Sequence, residues 1–207
     1  MDIGHKKIPR GTGWFNTGAA VAEANWGESA RYEGTLRTFA DHTVAATYGP
    51  KELRSPGDVV CRLVRNASGI TLSPKRLVNW KAGYRLKRVD GYTRTTACEV
   101  AGVTDEHFPS SGIPDGEMFW LAVKGHTLVK TSRAASAAET AWSAGARLVA
   151  LTAATSQAVT AGRISPINLT GATENLANQI LNNIGKAVSA ITSGQTDSDC
   201  LVEVDLL

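Results

Sequence analysis

The stretch DVVCRLVRNASGITLSPKRLVNW, residues 58–80, decides the fold class of this chain. Two apolar runs flank the tetrapeptide NASG (66–69), whose residue types favour tight turns. Such a pattern predicts a strand, a turn and a second strand. Because no catalytic motif interrupts it, the β framework itself is the first feature that the sequence predicts.

The same alternation of aliphatic runs and turn formers continues to residue 207. Segments such as KAG and PSSGIPDGE separate the runs and are rich in Gly, Pro and Ser. The runs predict strands near 58–65, 70–80, 84–89, 97–104, 117–123, 126–131, 146–154, 157–164, 185–192 and 200–207. Together they predict a mainly β protein with an antiparallel β-barrel or sandwich-like body over 58–207.

Helical spacing occurs once in this body. Leu176, Ile180 and Ile184 lie four residues apart, and Thr173 is suited to the N-cap, so we expect one short helix near 173–183. The small-residue stretch 131–145 is interpreted as a loop. The body is either one barrel or two packed lobes, 58–132 and 145–207.

Residues 1–57 show no sustained periodicity and are interpreted as a long extended N-terminal arm. Large aromatic residues, among them Trp14, Phe15, Trp26, Tyr32 and Phe39, are scattered there among Gly, Ala, Thr and Asn. Bare aromatic side chains in water are unfavourable, and structureless segments of this length are uncommon. We expect these large side chains to contact another chain, with Trp14, Phe15, Trp26 and Tyr32 as candidate contact residues. A second interpretation makes the segment an integral part of the body.

The middle of the chain is its basic part. The whole protein of 207 residues has a formal net charge of +3 and 43% hydrophobic residues, as expected of a folded domain. Residues 75–94 hold seven Lys or Arg residues against one acid, Asp90. Such a patch suits phosphate, an acidic partner surface or plain solvation. Lys87 and Arg88 are candidate contacts to an acidic protein partner.

Three cysteines, Cys61, Cys98 and Cys200, are far apart and in no CxxC spacing. This spacing favours buried free thiols over a zinc site or a disulfide scaffold. The first 15 residues lack the apolar segment of a signal peptide, and no stretch approaches the about 18 apolar residues of a membrane span. We expect synthesis in a reducing cytoplasm and no membrane partner.

Candidates for chemistry are few. The segment GVTDEHF (102–108) brings Asp105, Glu106 and His107 together and is the best candidate for a cation site or a hydrolase. A polar loop at the end of a strand explains the same residues without chemistry. No dinucleotide fingerprint and no phosphate-binding loop occurs. The sequence predicts no enzyme, no cofactor, no metal and no specific nucleic acid partner.

Four segments in order resemble head decoration, or capsid cement, proteins of tailed phages. The segments are CRLVRNASGITLSPKRLVNW, EVAGVTDEHFPSSGIPDGEMFWLAVKG, AGARLVALTAATSQAVTAGRI and IGKAVSAITSGQTDSDCLVEVDLL, and they span about 58–207. The resemblance implies a small β-barrel-like body that closes on a hydrophobic final strand. It also implies a structural virion protein, commonly a homotrimer, that binds the major capsid protein on the outer capsid surface and stabilises contacts between its subunits.

Two other functions remain open at this point. One is a phage tail-associated or fibre-associated β module that binds carbohydrate through exposed tryptophans. The other, least favoured, is a hydrolase that uses Asp105, Glu106 or His107. The apolar last strand CLVEVDLL further suggests that a neighbouring strand or a second copy covers it.

Overall fold

The fold is mainly β, as the sequence predicts, and is seen in a computed structural model. The structure describes residues 32–40, 58–93, 99–131, 142–150, 161–166, 183–191 and 198–207. These residues form ten β-strands in one mixed sheet. Within them no helix is long and apolar enough to cross a membrane.

The strands follow one another along the chain as short elements with one long exception. They are β1 (Leu36–Ala40), β2 (Asp58–Asn66), β3 (Leu77–Trp80), β4 (Arg88–Tyr92), β5 (Val100–Thr104), β6 (Met118–Lys130), β7 (Arg147–Ala150), β8 (Ile164–Pro166), β9 (Asn183–Ala187) and β10 (Asp199–Asp205). Most neighbours are antiparallel, as predicted, and β2 and β4 pair in parallel.

The strand pairings close into two rings that share β6. In the first ring β2, β4, β3, β5 and β6 pair in that order, and β6 returns to β2. In the second ring β6, β10, β9, β7 and β8 pair in order, and Ile164 of β8 bridges back to Thr131 beside β6. Each ring therefore has five strands, which leaves few free edges.

The strand β6 joins both rings because it runs through the whole sheet. Two separate strands, near 117–123 and 126–131, are predicted there, but the chain stays extended across Gly125. Gly125 has φ of +102° and lies so close to β2 that a Cβ would come within 2.7 Å of the Asp58 carbonyl oxygen. Glycine here permits a close approach rather than a turn.

Alternate residues of β6 supply two hydrophobic clusters. Met118 and Trp120 face one cluster, which extends through both rings, whereas Phe119 and Leu121 face the other, which is built mainly from the first ring. All four side chains are fully buried. A strand buried on both faces reads as a continuous apolar run, which is what FWLAV shows in the sequence.

The predicted hairpin at 58–80 is wrong, although β2 and the turn after it are present. The sheet order places β4 between β2 and β3. The buried Asn66 side chain explains the difference: its Nδ2 donates to the carbonyls of Ile70 at 2.8 Å and Ile113 at 3.0 Å. The chain is thereby drawn toward the loop near Ile113, and Leu72 bridges to that residue.

Several other boundaries differ from the expectations. The segment near 84–89 is mostly a turn, and its strand begins only at Arg88. Only the last four residues of 70–80 form a strand. Of the predicted strand near 157–164, residues 157–160 lie outside the described residues, and β8 begins at Ile164. The predicted helix lies outside the described residues except for Asn183, which begins β9. Of the predicted loop 131–145, residues 132–141 also lie outside them.

The described part of the N-terminal segment belongs to the body rather than to an extended arm. The strand β1 pairs with β2 over five residues, from Leu36 opposite Arg62 to Ala40 opposite Asp58. Phe39 is buried and meets Trp120 edge to face at a centroid distance of 5.3 Å. For residues 32–40 the second sequence interpretation therefore applies, because an aromatic side chain and a strand edge both find partners in this chain. Residues 1–31 and 41–57 lie outside the described residues.

The last strand is an interior strand of the sheet. Strand β10 pairs with β6 on one edge and with β9 on the other. Its aliphatic residues Val202 and Val204 are buried, whereas Glu203 and Asp205 are exposed, as the alternation predicts. Since both edges are paired within the chain, β10 needs no second copy to cover it.

Candidate interaction surface

The best candidates for catalysis support the backbone instead. Asp105 is buried after β5 and accepts a hydrogen bond from the His107 amide at 3.0 Å. Glu106 accepts one from the Leu128 amide of β6 at 3.1 Å, and its other oxygen lies 3.4 Å from the His107 imidazole. The two carboxylates thus hold this loop in shape and against β6.

The described part of the chain contains potential metal ligands and two of the three cysteines. No three His, Cys, Asp or Glu residues lie together there in a way that suits a metal ion. Cys61 and Cys200 are buried, as predicted, while Cys98 lies outside the described residues. Both buried cysteines pack in the larger hydrophobic cluster.

The tryptophans that the structure describes do not form a platform for sugars. Trp120 and Trp142 are buried in the larger cluster, and Trp80 is half-buried against the smaller one. Trp14 and Trp26 lie outside the described residues. Stacking on a sugar needs an exposed ring face, so the described tryptophans do not support carbohydrate binding.

The six predicted contact residues fall into different settings. Trp14, Phe15 and Trp26 lie outside the described residues, so nothing is added to their prediction. Tyr32 is half-buried and packs against the larger hydrophobic cluster. Lys87 is exposed in the turn before β4, as expected of a contact residue.

Arg88 is held inside the chain by a carboxylate that the sequence analysis did not single out. Its Nε donates to Glu33 Oε2 at 3.0 Å, and Arg65 donates from Nε to Glu33 Oε1 at 2.6 Å. The side chains of Arg65 and Glu33 are essentially inaccessible to solvent. Arg88 also stacks over the Tyr84 ring, 4.0 Å from its centroid. Its first role is therefore structural.

This ion-pair group marks a junction in the sheet. The strand β1 pairs with one end of β2, at residues 58–62, and β4 pairs with the other end, at residues 65 and 66. The Gly34 amide donates to the Leu63 carbonyl at 2.7 Å, and the Arg65 amide donates to the Lys87 carbonyl at 3.0 Å. The start of β1 and the turn before β4 therefore meet along β2.

Exposed apolar side chains gather at this junction. Leu36 is 47% exposed, Tyr84 40% and Leu86 37%, and the fourth large exposed hydrophobic residue of the described chain is Leu207. A Cβ on Gly34 would lie 3.2 Å from the Leu86 carbonyl oxygen, so the turn carrying Tyr84 and Leu86 contacts the chain two residues before Leu36. Single exposed apolar residues are ordinary, but a group of three at one place is informative.

Cationic side chains surround these apolar groups. Arg62 lies directly opposite Leu36, and opposed residues of antiparallel strands share a face. Burial, and then the positive charge of Arg85, hold the pKa of Arg62 below its ordinary value. Arg85 in turn is paired with Glu99, whose hydrogen bond and negative charge raise the pKa of Arg85. Arg85 thus pairs with the exposed Glu99 and lies close enough to Arg62 for their positive charges to interact.

We call this region the junction surface. It consists of Leu36, Arg62, Tyr84, Arg85, Leu86 and Lys87. Sequence reasoning found Lys87 but missed the apolar members, since a lone Leu or Tyr in a turn carries no signal of its own. The available signal was the segment KAGYRLKR (81–88), in which Tyr and Leu alternate with cations at a position predicted to be a strand.

The backbone of Leu86 is strained. Its φ is +67°, in the left-handed region that is unfavourable for a residue with a large side chain. Glycine or asparagine would adopt this conformation at lower free energy. A strained backbone that displays an apolar side chain to solvent is a combination that stability alone does not explain.

Comparison with known proteins does not place the chain in a family. No protein-family model matches it, and no curated protein shows significant similarity to it. The fold thus defines a mainly β protein of two five-stranded rings joined by a shared strand, with one apolar and basic junction surface.

Proposed function

We propose that this protein is a non-enzymatic structural protein of a tailed-phage virion that binds the outer surface of the capsid. It stabilises contacts between subunits of the major capsid protein there, after synthesis in the host cytoplasm. The resemblance of four ordered segments over about 58–207 to head decoration proteins supports this proposal. The mainly β body agrees with it.

The observation that carries the proposal is the gathering of exposed apolar residues on one basic surface. Leu36, Tyr84 and Leu86 are exposed near Arg62 and Lys87, and Tyr and Arg are residue types that protein interfaces favour. The candidate catalytic residues are occupied by contacts to the backbone. A protein whose polar loops hold its frame while one surface displays apolar groups suits binding better than catalysis.

A homotrimer at three-fold positions of the capsid is part of the proposal. Its support is the family resemblance. The last strand β10 gives no support for a trimer, because both of its edges are paired within the chain.

Co-sedimentation tests the proposal. The purified protein is mixed with DNA-free capsid shells of its source phage, prepared without the protein, and centrifuged through sucrose. We expect saturable binding to the shells and a higher temperature of shell disruption. A protein that stays in the supernatant at every concentration contradicts the proposal.

A further inference from the structure

We propose that the junction surface is the part of this protein that docks on the capsid subunit, with Leu86 as its apolar anchor. The matching surface on that subunit is an apolar recess bordered by carboxylates. This inference rests on the proposed capsid binding and adds to it the contact surface and the chemistry of the partner.

The first argument is the position of Leu86. Its side chain is 37% exposed in the turn between β3 and β4, two residues before β4 begins, and its φ is +67°. The turn is firmly closed, because the Lys81 amide donates to the Arg88 carbonyl at 2.9 Å and the Lys87 amide to the Tyr84 carbonyl at 3.1 Å. A fixed turn presents Leu86 in one orientation, which lowers the entropy lost on binding.

The second argument is the support beneath the turn. Arg88 stacks on Tyr84 and pairs with the buried Glu33, and Glu33 also pairs with Arg65 of β2. Arg65 further donates to the Gly116 carbonyl at 2.7 Å. The docking surface is therefore anchored to the core of the first ring rather than carried on a loose loop.

The third argument is charge. The junction surface holds the cations Arg62, Arg85 and Lys87, and only Arg85 is paired across it with an exposed carboxylate, that of Glu99. The positive excess favours a partner with carboxylates at the rim of the contact. A second copy that presents the same surface would bring like charges together, so we do not propose a symmetric contact between copies.

A nucleic acid fits the surface less well than a protein does. Arg85 is paired with Glu99, and Arg88 is paired with Glu33, so both guanidinium groups already bind a carboxylate of this chain. Nucleic acid binding draws most of its affinity from unpaired cations on the phosphate backbone. The three exposed apolar side chains Leu36, Tyr84 and Leu86 instead fit an apolar recess of a protein.

The test separates anchoring from folding by a change at Leu86. Leu86→Gly removes the apolar side chain and relieves the left-handed strain, so its melting temperature should equal or exceed that of the wild type. Its affinity for DNA-free capsid shells should fall by about tenfold or more, the range of a central contact residue. Leu86→Met, which keeps an apolar chain, should retain most of the affinity.

Matched controls define the surface. Leu207→Gly makes the same change at an exposed leucine outside the junction surface and should leave binding unchanged. Lys87→Glu should weaken binding more at low salt than at about 0.15 M salt, because the charge is exposed. Lys186→Glu makes the same reversal at an exposed position on β9 and should have little effect.

Each contrary result has a distinct meaning. If the wild type does not bind shells, both the proposed function and this inference fail. If the wild type binds and Leu86→Gly binds equally well, the docking surface lies elsewhere and only this inference fails. It also fails if Leu86→Gly melts at a clearly lower temperature, changes the oligomeric state of the free protein in light scattering, or weakens binding to double-stranded DNA instead of shells.

Discussion

Glu33 accepts a hydrogen bond from Arg65 at 2.6 Å although the two residues are 32 positions apart and both side chains are buried. This ion pair joins the N-terminal segment to strand β2. Arg88, the first residue of β4, binds the other carboxylate oxygen of Glu33. Buried charges are tolerated only when they are paired and hydrogen-bonded. This group therefore controls how the first ring closes.

Replacing the shared carboxylate should destabilise the fold. Glu33→Gln removes the negative charge that both guanidinium groups bind, and breaking a buried ion pair by removal of one partner costs about 3 to 5 kcal/mol. Urea denaturation followed by fluorescence measures the loss. Glu99→Gln is the matched control, since its pair with Arg85 is exposed, and it should change the free energy of unfolding by less than about 1 kcal/mol. Equal effects of the two changes would contradict the structural role of Glu33.

Truncation should show that residues 32–40 are part of the body. A variant lacking residues 1–40 loses Glu33, the pairing of β1 with β2, and the contact of Phe39 with Trp120. A variant lacking residues 1–31 keeps all three. We expect the longer deletion to be less stable than the shorter one by more than about 3 kcal/mol, the usual cost of losing a buried phenylalanine alone. Equal melting temperatures of the two truncated proteins would refute the assignment of β1 to the body.

A close contact between two strands of the second ring predicts that replacing Gly185 by a larger residue destabilises the protein. Gly185 has φ of +142°, and an added Cβ would overlap the carbonyl oxygen of Glu203 on the neighbouring strand. Gly185→Ala should therefore disrupt the pairing of β9 with β10 and destabilise the protein strongly. Gly145→Ala is the control, because that glycine has φ of +87° but no atom within 4 Å of the added Cβ. Its cost should be only the left-handed strain of about 1 to 2 kcal/mol, measured by the same denaturation.

Lowering the pH should weaken the ion pairs of Asp199 with Lys130 and Lys75, which we call the clamp between the two rings. Asp199 at the start of β10 accepts hydrogen bonds from Lys130 at 2.8 Å and from Lys75. Burial alone would raise the pKa of Asp199, but the hydrogen bonds and charges of Lys130 and Lys75 outweigh it and hold the pKa below its ordinary value. A lowered pKa in the folded state means that the clamp stabilises the protein above the unfolded pKa of about 3.9 and that this contribution is lost as pH falls through the lower folded pKa.

The variant Asp199→Asn checks the sign of this effect. It should be less stable than the wild type at pH 7, and the difference in urea midpoint should shrink as the pH falls below about 4. The control Glu203→Gln removes an exposed carboxylate from the same strand and should leave the pH profile nearly unchanged. If the difference in urea midpoint between the wild type and Asp199→Asn grows as the pH falls, the assignment of a lowered pKa to Asp199 is contradicted.

The sequence by itself determined the class of the fold and the position of most strands. Alternating aliphatic residues give the period of a strand wherever they occur, so segments such as 58–65 and 200–207 are found by local pattern alone. The apolar run FWLAV likewise marks a strand buried on both faces. These properties depend on residues that are neighbours along the chain.

Only the tertiary structure decided which strands pair and which residues form the junction surface. The local sequence at 58–80 fits a hairpin, but the Asn66 side chain contacts the Ile113 carbonyl from 47 positions away, and β4 takes the place beside β2. Leu36 and Leu86 come to one surface because β1 and the turn before β4 meet end to end along β2. Contacts of such sequence separation leave no periodic trace, since each depends on the closed order of the strands and not on the spacing of residues.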